Sequence, residues 1–113
     1  MSTAETNADL LRRAAALMRE RAEEATPGPW SNRRHLDEQV VRTDTGAPLA
    51  RTDTRADRRH IASWHPVVAL AVADLMDDGA TFIEYVAMNH SAEASGTEGQ
   101  FFLAVARTYL GEQ

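Results

Sequence analysis

Arg51, Arg55, Arg58, Arg59 and His60 fall within ten residues, and two tryptophans, Trp30 and Trp64, lie within reach of that stretch in sequence. A guanidinium is a planar fork of N–H donors that matches phosphate or carboxylate oxygens two at a time. Thr54-Arg55-Ala56-Asp57 reads as a helix start, where unsatisfied backbone N–H groups and the positive end of the helix dipole also favour an anion. Trp64 follows His60 by four residues and so shares its helix face, and an indole ring at Trp64 or Trp30 stacks readily on a nucleobase. The set Trp30, Arg51, Arg55, Arg58, Arg59, His60 and Trp64 is therefore a candidate binding site for an anionic small molecule such as a nucleotide signal. The plainer alternative is a row of exposed arginines balancing nearby acids, with Trp30 plugging one edge of a core.

Other chemistries find less support. His60 and His65 are five apart, about 140° around a helix, so they do not share a face as a zinc-binding pair must. Asp57 and His60 are three apart and can pair on a helix surface; with His65 they would make a small nucleotide hydrolase, the third alternative. No hydroxyl nucleophile is identifiable by spacing, and the chain has no cysteine. Disulfides, thiolate metal sites and thiol nucleophiles are thus excluded. Asp77-Asp78-Gly79 lacks the alternating oxygen ligands of a calcium loop and reads as a solvated helix end. No metal site, cofactor or catalytic residue is expected.

The whole chain carries a net charge of −5. Residues 31–66 nevertheless hold seven arginines against five acids, while the flanks hold five against twelve. An acidic whole opposes non-specific nucleic-acid binding, because phosphate contacts dominate its affinity. A basic middle still permits a local anion site, and the acidic flanks suit docking to a host protein. All twelve basic residues are arginine, which a G+C-rich coding bias explains as well as bidentate recognition does. No stretch approaches the roughly 20 apolar residues of a membrane span, and no apolar leader opens the chain. A cytoplasmic protein is expected.

The elements that must position these residues follow from periodicity. With 113 residues there is room for one domain, residues 1–113, with 1–6 as a flexible N-terminus. A first helix is predicted over 6–24, capped by Thr6 and stopped by Pro27, with Leu10, Ala14, Leu17 or Met18, and Arg21 or Ala22 recurring at helical spacing. Residues 38–43 and 48–52 form a hairpin about an Asp44-Thr45-Gly46 turn, residues 31–35 add a third short strand, and the strand with Pro48 lies at an edge. A helix from Thr54 ends at His65-Pro66, and another covers 66–77 as the central core element. Residues 81–88 read as helix, and a last helix over 101–110 starts with a Thr97–Gln100 capping box and ends at Gly111. The fold class is α+β, mostly helical, with a small antiparallel hairpin or three-stranded sheet between the first and second helices. Apolar helices in the second half leave a face for a twin subunit, so a homo-oligomer is expected.

Ala25-Thr26-Pro27-Gly28-Pro29-Trp30, a variable hairpin, then Ala56-Asp57-Arg58-Arg59-His60-Ile61-Ala62 and His65-Pro66 resemble a family of small uncharacterised actinobacterial and phage proteins, and distantly the Ead-type early proteins of lambdoid phages. The closing run from Leu103 to Gly111 is similar to the actinobacterial members. Where the phage pattern has an aromatic before isoleucine, this chain has His60. The resemblance implies no catalytic residue. It implies a mobile-element setting, in which accessory proteins disable or retune host systems. The non-enzymatic binding role is expected from the arginine-rich helix start beside aromatic residues and the lack of a catalytic motif.

Overall fold

The computed structural model describes residues 5–31, 40–43, 45–52, 54–90 and 99–112, and for His90 the backbone only. Four helices and three strands follow in the order α1 (Asn7–Glu24), β1 (Trp30–Ser31), β2 (Val40–Thr43), β3 (Pro48–Arg51), α2 (Arg55–Ser63), α3 (Pro66–His90) and α4 (Gln100–Leu110). The expected α+β class is borne out, with the sheet placed between α1 and α2. The chain divides into two compact units, Met1–Met18 with Val72–Gln113, and Arg19–Ala71. No helix among the described residues is long and apolar enough to cross a membrane.

In the first unit, α1 begins as its sequence dictates: the Thr6 hydroxyl accepts the Asp9 N–H at 3.0 Å, satisfying a backbone donor that has no partner within the helix. Leu10, Leu11, Ala14, Ala15 and Met18 then point inward and meet Ala73, Met76 and Ala80 of α3 and Leu103 and Ala106 of α4. Alanine dominates this interface. Small side chains hold few contact atoms, so they stabilise a core only where helix backbones come close. The clearest case is Gly79, where a Cβ would stand 2.8 Å from the Phe102 ring. Gly99 does the same from the other side: it precedes α4 at φ +78°, and a Cβ there would stand 2.6 Å from Ile83.

That approach corrects three expectations. Asp77-Asp78-Gly79 is not a helix end, because α3 runs unbroken from Pro66 to His90 and joins the two predicted helices. Glycine's weak helix propensity is offset here by the aromatic ring it admits. The start of α4 is capped by Gly99 without a side-chain bond rather than by the proposed box, of which Thr97 lies outside the described residues. Nor is the helix expected over 66–77 as the central core element enclosed all round: Ala69, Ala73 and Met76 are buried, whereas Val67, Leu70 and Leu75 are exposed. An apolar helix is fully buried only when neighbours surround it.

In the second unit, β2 is central, with β1 and β3 antiparallel on either side. Val40, Val41 and Thr43 are its buried residues. Pro48 sits on edge strand β3, opposite Arg42, where the register skips a residue. A strand edge tolerates the missing proline N–H. Thr43 and Ala47 close the hairpin: the Thr43 N–H donates to the Ala47 carbonyl at 2.8 Å, and the Ala47 N–H to the Thr43 hydroxyl at 3.0 Å. The remainder of the proposed third strand, 32–35, and the hairpin residues 38, 39 and 44 lie outside the described residues. Helix α2 packs on β1 and β2.

Arginine–glutamate pairs clasp the first unit at its surface. Arg12 donates both terminal nitrogens to Glu84 on α3 at 2.7 and 2.6 Å. Arg13 binds Glu5 and Glu112 together. The hydrogen bonds from Arg13 hold the Glu5 and Glu112 carboxyls below their ordinary range, and that from Arg12 does the same for Glu84. A carboxyl whose folded pKa is depressed adds stability above its unfolded pKa and loses it as pH falls through the folded value. The melting temperature should therefore drop as pH is lowered from 5 to about 3, and Arg13→Gln should flatten that profile; a profile unchanged by Arg13→Gln contradicts the clasp. Gly79→Ala tests the helix approach. A gain of about 1 kcal/mol in propensity competes with about 1–3 kcal/mol of overpacking, so the variant should melt lower. The same change in a Phe102→Ala background should instead stabilise, as read by urea titration.

Candidate functional site

All seven candidate residues belong to the unit Arg19–Ala71. Helix α2 determines which way five of them face. Thr54 caps it in extended conformation and accepts the Asp57 N–H at 3.1 Å, as the sequence indicates. The helix N-terminus is thus occupied by its own threonine hydroxyl, with the Asp57 carboxylate in the same turn. Arg58 and Ala62 form the buried face.

Burial changes what Arg58 can do. The residue is 8% exposed, and its guanidinium donates to the Thr52 carbonyl at 2.7 Å. A buried guanidinium needs such acceptors, since leaving it unpaired is costly. Arg58 therefore ties α2 to the end of β3 and turns away from the solvent side of the helix. Trp30 is also engaged: its indole N–H donates to the Thr26 carbonyl at 3.0 Å, closing the proline turn on itself.

The other members remain on the surface. Arg55 and Arg59 are exposed one turn apart, as are His60 and Trp64, and the two pairs lie side by side on the outer face of α2. Neither Arg55 nor Arg59 forms an ion pair among the described residues. Like charges at this spacing repel by a few tenths of a kcal/mol, a cost that a bridging anion would remove. Arg51 is exposed at the end of β3. Asp57 and His60 form no hydrogen bond or ion pair with each other, so the dyad that hydrolysis would need is not assembled here.

His65 lies beside the proline turn. Its carbonyl accepts the Val68 and Ala69 N–H groups and so starts α3. Its ring stands where a Cβ on Gly28 would lie 2.8 Å from Nδ1, an atom that is buried without a hydrogen-bond partner among the described residues. Gly28 is thereby read as a packing residue of the turn. Among the described residues, no three histidine, aspartate or glutamate side chains gather as a metal site.

A second surface lies on the apolar helices of the second half, where the sequence leads one to expect an exposed face without indicating which residues form it. In the other unit Phe101 and Val105 of α4 are exposed, and Ala104, Val105, Thr108 and Tyr109 line an open apolar concavity of about 360 Å³. The available signal was Phe101 at the first turn of a helix whose buried stripe is Leu103 and Ala106.

The division of labour on α2 has a direct test. Arg58→Ala should cost about 1–3 kcal/mol of stability by stranding the Thr52 carbonyl, whereas Arg55→Ala and Arg59→Ala should leave the urea midpoint nearly unchanged. Equal effects at the three positions would contradict the assignment. No protein-family model, no curated protein and no solved structure matches this chain.

Proposed function

We propose that this protein is a non-catalytic binding protein of phage or prophage character, acting in the cytoplasm on an anionic partner. The outer face of α2 supports that reading: Arg55 and Arg59 stand exposed beside His60 and Trp64 while Arg58 is turned inward. Two forked cations engage phosphate oxygens, and an indole half in water stacks on a base. A nucleotide, linear or cyclic, combines both groups in one ligand. The resemblance to phage early proteins adds a setting, counter-defence, in which sequestering a nucleotide signal would serve the invader.

Calorimetric titration against linear and cyclic nucleotides tests this. Binding should weaken with salt, and Arg55→Ala with Arg59→Ala should reduce affinity by at least about tenfold. Absence of heat with every nucleotide at low salt overturns the reading.

The exposed apolar residues of α3 and α4 favour a second reading, a protein-docking module that binds a host protein or its own copy. The acidic charge of the chain would then steer the encounter.

A further inference from the structure

In the unit formed by Met1–Met18 and Val72–Gln113, α1 covers only one side of the α3–α4 pair. Gly79 meets Phe102 and Ile83 meets Gly99, so the two helices run antiparallel and each side chain can be placed by its helical phase. Residues facing α1 are Ala73, Ala80, Leu103 and Ala106. The opposite edge carries Leu75 beside Val105 and Phe82 beside Phe101. These four are 50%, 45%, 47% and 89% exposed.

We infer that this face pairs with itself: α4 packs antiparallel against α4 of a second copy, and Phe101 of each enters the concavity at Thr108 and Tyr109 of the other. This gives the protein-docking reading a definite occupant and does not depend on the anion site. Phe101, Ala104, Val105 and Thr108 follow the i, i+3, i+4, i+7 pattern of one helix stripe. A two-fold axis passing between Ala104 and Val105 sets residue 101 opposite residue 108, so knob and groove match reciprocally, as an isologous interface requires. Ala104 at the axis lets the backbones approach.

Area and charge both point to a second copy. With about 200 Å² for a whole aromatic side chain, Phe101 and Phe82 leave roughly 270 Å² in water. Leu75 and Val105 bring the total to roughly 400 Å². A stable half-interface of about 800 Å² is just over half apolar, which is the same quantity. The α4 stripe carries no ionisable group, so the α4–α4 seam itself buries no like charges in a chain of net charge −5; Asp78, which shares the Leu75–Phe82 side of α3, is exposed at its margin. Antiparallel helices also set each positive dipole end beside a negative one. The same net charge opposes nucleic acid or an anionic lipid surface as occupant.

Sedimentation velocity across a concentration series should show a dimer, and Phe101→Asp should weaken it at least about thirtyfold with the circular dichroism spectrum unchanged. Because the chain has no cysteine, single replacements report the axis directly. Ala104→Cys should cross-link two chains on oxidation, and Met88→Cys, 84% exposed elsewhere on α3, should not. A monomer at every concentration overturns the pairing. So does a dimer insensitive to Phe101→Asp, cross-linking through Met88→Cys alone, or a monomer that sediments with neutral lipid vesicles through Phe101. None of these outcomes bears on nucleotide binding.

Discussion

The placement of the Phe102 ring against the α3 backbone at Gly79 governs one half of the molecule. A side chain at position 79 would push α4 outward, and the alanines that fill the space between α1, α3 and α4 would lose their contacts. Gly99 repeats the constraint a turn away, where its left-handed backbone also sets the direction in which α4 departs. With α4 held by two glycines on its inner side, Phe101 has nowhere to turn but outward. The exposed aromatic is thus a product of the packing that buries its neighbour.

A similar partition shapes the other half. Arg58 is committed to the Thr52 carbonyl, and this fixes the rotation of α2 about its own axis. Once that rotation is set, the spacing of the remaining residues presents Arg55, Arg59, His60 and Trp64 to solvent. Arg58 secures the helix and so leaves Arg55 and Arg59 facing solvent. The charges of Arg55 and Arg59 are balanced by no ion pair among the described residues, whereas Arg12 and Arg13 are paired with glutamates.

Much of this architecture was legible in the sequence. Thr6, Thr54 and Gly111 mark helix ends by local chemistry, and local chemistry needs no knowledge of distant contacts. Pro48 at an edge strand and the break at His65-Pro66 follow from the missing proline N–H. Gly79 was misread because its reason for being glycine is Phe102, a residue remote in sequence. The role of Arg58 was hidden for the same cause: nothing in an arginine-rich run says which member turns inward. Of the candidate site, the residues were identified from sequence, but their sorting into a buried anchor and an exposed face required the fold.

The alanine-lined seam between α1, α3 and α4 carries an evolutionary consequence. A core of leucines can be worn down one methyl at a time, each loss leaving a void. Here Ala14, Ala15, Ala73, Ala80 and Ala106 have almost nothing to lose, and any gain in bulk forces the backbones apart. Neutral drift at these positions is therefore confined to a narrow set of tiny residues. Lineages of this protein would vary freely on their charged surfaces while keeping a nearly frozen spine.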